Sequence, residues 1–124
     1  MIYRVIIDQR LPGMNEYSGA QRGGAGAGAT MKRNTESDIG WLIRAQLHGL
    51  QITLPVNLIY VWCEPNTRRD KDNIRTAEKF VQDALVSLGV LKGDGWKYIR
   101  GSHHDYTVDA KKPRLELYIV EQPV

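Results

Sequence analysis

The chain of 124 residues has a single cysteine, Cys63, so no intramolecular disulfide can form. The thiol follows the apolar run of residues 58–62, the setting of a buried structural cysteine rather than of a nucleophile. No apolar run approaches the roughly 18–20 residues that span a bilayer. Residues 1–9 also lack the basic start and apolar stretch of a signal peptide, so a cytoplasmic protein with no membrane partner is expected. Internal repeats are absent. Charge of one sign is only slightly in excess: 17 Lys and Arg against 14 Asp and Glu leave +3, with a pI near 9.1. That balance is compatible with a polyanionic partner without requiring one. Gly24, Gly26 and Gly28 alternate, but no strand runs directly into them and no Gly-Lys-Ser/Thr follows. A phosphate-cradling loop, and with it a nucleotide cofactor, is therefore not expected.

What is present suffices for one folded domain, residues 1–124: 42% of residues are apolar and 25% charged, and the length supports one modest core. Residues 2–7 read as a first strand, followed by a turn-prone Leu11-Pro12-Gly13-Met14-Asn15. Residues 18–30, mostly Gly and Ala, read as a flexible surface loop. A helix capped by Asn34 or Thr35 is expected to about Leu47, with Ile39, Leu42 and Ile43 on one face and Gly49 as its stop. Residues 52–63 read as a central strand buried on both faces, with Val56, Leu58, Tyr60 and Trp62 on one side. Residues 73–88 read as a second helix, with Ile74, Ala77, Val81, Ala84, Leu85 and Leu88 on one face and Gly89 as its stop. Residues 97–106 and 114–121 read as an antiparallel strand pair. The expected class is α+β, a β-α-β-α-β-β mixed sheet with two helices.

The chemistry concentrates in Arg68-Arg69-Asp70-Lys71-Asp72-Asn73, where an apolar strand has ended and an amphipathic helix begins. Extended residues two apart point the same way. Two nearby carboxylates repel unless a cation compensates them, so Asp70 and Asp72 form a plausible Mg²⁺ or Mn²⁺ site. Asp94, in the loop Gly93-Asp94-Gly95, is the third candidate, since hard oxygen donors suit such ions. Arg68, Arg69, Lys71, Arg75 and Lys79 are candidates for neutralising DNA phosphates. The same residues also support a plain structural reading, with Asp72 as a helix cap, Asp70 paired with Arg68 or Arg69, and Asp94 making a turn. His48, His103 and His104 read as structural or surface groups. Trp96 reads as a core residue, with stacking on an unpaired base as the alternative.

Over most of its length the chain resembles the RusA family of Holliday junction resolvases. In that family an Arg-Arg-Asp-x-Asp-Asn segment opens a helix ending near a Leu-Gly pair, followed by an Asp in a short loop. Here these are residues 68–73, Leu88-Gly89 and Asp94. Leu11-Pro12-Gly13-Met14-Asn15-Glu16-Tyr17 is similar to the family's Pro-rich Asn-Tyr segment, and Met31-Lys32 to the start of its first helix. The family's helical lysine four residues after the second Asp is Thr76 here, with Arg75 and Lys79 nearby. The resemblance implies a homodimer that binds four-way DNA junctions in recombination and repair. With Mg²⁺, or Mn²⁺ in its place, it nicks two opposed strands symmetrically, using Asp70, Asp72 and Asp94. A catalytically silent junction-binding module and a nuclease for other branched substrates are the alternatives.

One tension is visible in the spacing. A helix over residues 73–88 is about 24 Å long, whereas the six steps from Leu88 to Asp94 reach at most about 20 Å. Asp94 then returns to Asp72 only if the helix is shorter, or serves the partner's site instead.

Overall fold

A computed structural model describes residues 1–24 and 26–123. Its elements run β1 (Ile2–Ile7), α1 (Met14–Arg22), α2 (Ala27–Leu47), β2 (Val56–Glu64), α3 (Lys71–Arg75), α4 (Glu78–Ser87), β3 (Ile99–Val108) and β4 (Arg114–Glu121). The strands form one mixed sheet in the order β1-β4-β2-β3. β4 is antiparallel to both β1 and β2, and β2 is parallel to β3. The class is α+β, and the element order is the expected one, except that α1 is an added helix and the expected second helix is divided into α3 and α4.

The period of two in the strands decides which face is buried. Val56, Leu58, Tyr60 and Trp62 of β2 alternate inward, as do Val5 and Ile7 of β1 and Leu115, Leu117 and Ile119 of β4. They meet Ile39 and Ile43 of α2 and Phe80, Val81, Ala84 and Leu85 of α4 in a single core. β2 is central, but only this one face is fully buried: Asn57, Ile59 and Val61 are half-exposed, and Cys63 alone on that side is buried. Burial pushes the Cys63 thiol pKa up, in keeping with a structural thiol.

Four expectations are corrected here. Residues 18–30 are mostly helical, because α1 runs to Arg22 and α2 starts at Ala27. Their glycines turn the chain and bring the two helices together. Gly24 and Gly26 take positive φ, and a Cβ on Gly28 would stand 2.5 Å from the Gln21 side chain. The first long helix therefore begins seven residues before the expected cap at Asn34, and Thr35 is buried within it. The second helix breaks between α3 and α4, where the Thr76 hydroxyl donates to the Asp72 carbonyl at 3.0 Å and competes with the backbone ladder. Finally, β3 and β4 are not a hairpin: β2 lies between them and pairs with both. The Asp109 N–H donates to the Glu64 carbonyl, so the connection crosses the end of β2. The polar turn marked where the chain reversed, but long-range pairing chose the neighbours.

Candidate active site

The end of β2, the start of α3 and the end of β3 enclose a cleft of about 490 Å³. Asp70, Lys71 and Asp72 line it, with Glu64, Arg69 and Tyr106 among its other walls. Asp70 is the extended N-cap residue of α3 and Asp72 lies in the first turn. They share the cleft through a cap and a helical turn, not through the strand-like alternation expected from the sequence. Asp72 Oδ1 accepts the Asn73 N–H at 2.9 Å. Among the described residues, neither Asp70 nor Asp72 forms an ion pair. The structural reading that paired Asp70 with an arginine is not realised.

That arginine is committed elsewhere. Arg69, with its side chain only 9% exposed, places Nη2 2.8 Å from both oxygens of Glu64 and Nε 3.0 Å from Oε1. Its Nη1 donates to the Leu11 carbonyl and meets Glu16. Arg10 also donates to Glu64 Oε1, with Nη2 at 3.1 Å. Arg69 is thus a clamp that fastens the residue 11–17 segment to the end of β2, and its expected role at DNA phosphates is corrected. Asn73 completes the joint, because its side chain accepts the Asn15 N–H at 2.9 Å. Gly13 leaves room for this joint: an added Cβ would lie 2.6 Å from Asn73 Oδ1 and 2.8 Å from Arg69 Nη1, so both side chains would have to shift. The two most distinctive sequence segments therefore meet in space.

Of the remaining cations, Arg68, Lys71 and Arg75 are exposed, and Lys71 lies 5.4 Å over the Tyr106 ring. Lys79 is not free. Its ammonium sits 2.8 Å from Asp94 and 3.0 Å from Asp83, so its charge is already cancelled. Its pKa is raised and that of Asp94 lowered, each chiefly by their hydrogen bond.

Asp94 is not among the residues that line the cleft. No group of three His, Cys, Asp or Glu side chains gathers as a metal site among the described residues. Of the three expected ligands, Asp70 and Asp72 share the cleft, while the Asp94 carboxylate is held by Lys79. The length argument for sharing Asp94 also lapses. After α4 the chain turns at Gly89, with Val90 and Leu91 N–H both on the Leu85 carbonyl, and Asp94 returns as far as Lys79 in the first turn of α4. Asp70 and Asp72 still suit Mg²⁺, which is commonly held by one or two carboxylates, retained waters and substrate phosphate oxygens. No helix among the described residues is long and apolar enough to cross a membrane.

His104, read from the sequence as a structural or surface group, sits in a cluster of aromatic and acidic side chains. His104 Nδ1 accepts the Trp62 indole N–H at 3.0 Å, Nε2 lies 3.3 Å from Glu78 Oε2, and the ring stacks on Tyr60 at 4.8 Å. The side chain is 11% exposed, and desolvation lowers its pKa despite the Glu78 carboxylate. The neighbouring Tyr106 hydroxyl is buried without a hydrogen-bond partner among the described residues, and burial raises its pKa. The only available signal was strand alternation, which turns adjacent residues to opposite sides: His103 is exposed and His104 is the inward one. No protein-family model matches this chain, and no curated protein matches its sequence.

Proposed function

We propose that the chain is a metal-dependent DNA endonuclease of the RusA type, resolving four-way junctions by paired symmetrical nicks. One observation carries this reading: among the described residues, Asp70 and Asp72 face solvent in one cleft without ion-pair partners, beside exposed Lys71, and Arg68 and Arg75 nearby in sequence are exposed too. Carboxylates left uncompensated among cations that are free to meet phosphate fit a site completed by a divalent ion and a DNA strand. Asp70 and Asp72 would hold Mg²⁺ or Mn²⁺, which would supply an activated water and offset charge on the phosphate. Lys71 and the exposed arginines hold the backbone in place. Arg69 fastens the start of α3 to Glu64 at the end of β2 and Asn73 fastens its first turn to Asn15, so that both carboxylates keep their direction. Paired nicks need two sites, so the working unit is a homodimer. Asp94 belongs to the reaction only if it leaves Lys79 or serves the partner's site.

The test is cleavage of a labelled synthetic four-way junction, beside linear duplex and flap controls, with Mg²⁺ or EDTA. Paired nicks confined to the junction, lost with EDTA and in Asp72→Asn, are expected. Asp94→Asn decides whether two carboxylates suffice. Junction binding without cleavage would make the protein a binding module, and equal cleavage of the flap would make it a nuclease of broader shape preference.

A further inference from the structure

Trp96 is 96% exposed, which corrects its reading as a core residue. Almost all of a large apolar ring is in water, and no aromatic or cationic group stacks on it among the described residues. Of the other tryptophans, Trp62 is buried and Trp41 is 69% exposed with Arg44 over its ring.

The segment that displays Trp96 is pinned on both sides. The Gly95 carbonyl accepts both the Tyr98 and Ile99 N–H groups at 3.0 Å, closing one tight turn with Trp96 at its apex. Just before it, Asp94 is anchored on Lys79. Gly93 packs so tightly on Tyr98 that a Cβ would lie 2.9 Å from the ring. The ring is therefore held out by a fixed backbone, so little entropy remains to be lost when something covers it.

Charge identifies the occupant. Lys92, Lys97 and Arg100 flank the turn and have no ion-pair partner among the described residues, while the one carboxylate there, Asp94, is neutralised by Lys79. A rigid bare aromatic among unpaired cations suits a polyanion that carries flat apolar groups. We infer that Trp96 is a base-stacking residue that takes an unstacked nucleobase of a DNA strand whose phosphates lie on Lys92, Lys97 and Arg100. Along β3, Ile99 and Tyr106 are seven residues apart, about 23 Å, and Trp96 is not among the residues that line the cleft, so its contact to DNA is separate from that of Asp70 and Asp72. This inference rests on the DNA reading above.

The experiment is titration of the full chain with a short oligothymidylate, with duplex of the same length and with a four-way junction, following intrinsic fluorescence and gel mobility. Trp96→Ala is expected to weaken single-strand and junction binding by about 5- to 150-fold, the worth of one stacked base, while duplex binding changes by less than about twofold. Trp96→Phe should fall between, and quenching by the oligonucleotide should persist in Trp41→Phe. Because the side chain is exposed, these variants keep the fold. Unchanged affinities in Trp96→Ala, or equal weakening for single strand and duplex, would overturn the stacking role. If the wild type still cut junctions, the nuclease reading would stand without it. A wild type that bound no DNA would sink both.

Discussion

Replacing Arg69 by alanine separates a structural clamp from a DNA contact. The substitution removes three hydrogen bonds to Glu64, a carboxylate only 7% exposed, and leaves Oε2 with no partner. Breaking a buried pair from one side typically costs about 3–5 kcal/mol, because a charge is stranded. Arg10 remains 3.1 Å from Oε1, so about 3 kcal/mol is expected here. For a chain of this length that corresponds to a Tm roughly 10–15 °C lower. Urea denaturation of Arg69→Ala, Glu64→Gln and the double variant closes a cycle whose coupling should be about 2 kcal/mol or more. Arg69→Lys should fall between, since an ammonium cannot span both oxygens. The wild-type dependence of DNA affinity on salt should survive in Arg69→Lys. A stability loss below about 1 kcal/mol in Arg69→Ala, with the salt slope reduced by about 0.9, would show a phosphate contact and refute the clamp.

Other consequences follow from the same contacts. Gly13→Ala should destabilise by about 1–3 kcal/mol and impair junction cleavage, because its methyl group would displace Asn73 and Arg69; equal denaturant midpoints would contradict this. Lowering pH from about 7.5 to 5 should reduce stability as His104 titrates. Its folded pKa lies below the unfolded 6.5, so the unfolded chain takes up more protons as pH falls through that value, and a protonated Nδ1 would face the Trp62 N–H. His104→Gln should lose that part of the pH slope in urea midpoints. Lys79→Met should leave DNA affinity and its salt dependence unchanged, shift stability by less than about 1 kcal/mol, and let the Asp94 carboxyl titrate nearer its ordinary 3.8 by NMR. A marked loss of affinity would return Lys79 to the DNA surface.

Periodicity carried the sheet and core. Val56, Leu58, Tyr60 and Trp62 alternate, and Ile39 with Ile43 and Val81 with Leu85 sit one helical turn apart, so burial followed from spacing alone. Arg68-Arg69-Asp70-Lys71-Asp72-Asn73 likewise marked a candidate site, and its two carboxylates at the strand-to-helix junction do share one cleft. What the linear order left open was every choice between equal-looking partners. Arg69 and Arg68 are adjacent and identical in kind; only the approach of Glu64 and the Leu11 carbonyl makes one a buried clamp and leaves the other at the surface. Lys79 and Lys71 were both candidate phosphate contacts until Asp83 and Asp94 closed on one of them. The fate of Trp96 depended on the turn at Gly95 pointing it outward, which composition does not encode. The strand order depended on β2 entering between β3 and β4. Local pattern fixes which residues seek burial, because the hydrophobic effect is non-directional. Partner and register are decided by long-range contacts, because hydrogen bonds and ion pairs are short and form only where the assembled chain brings their groups together.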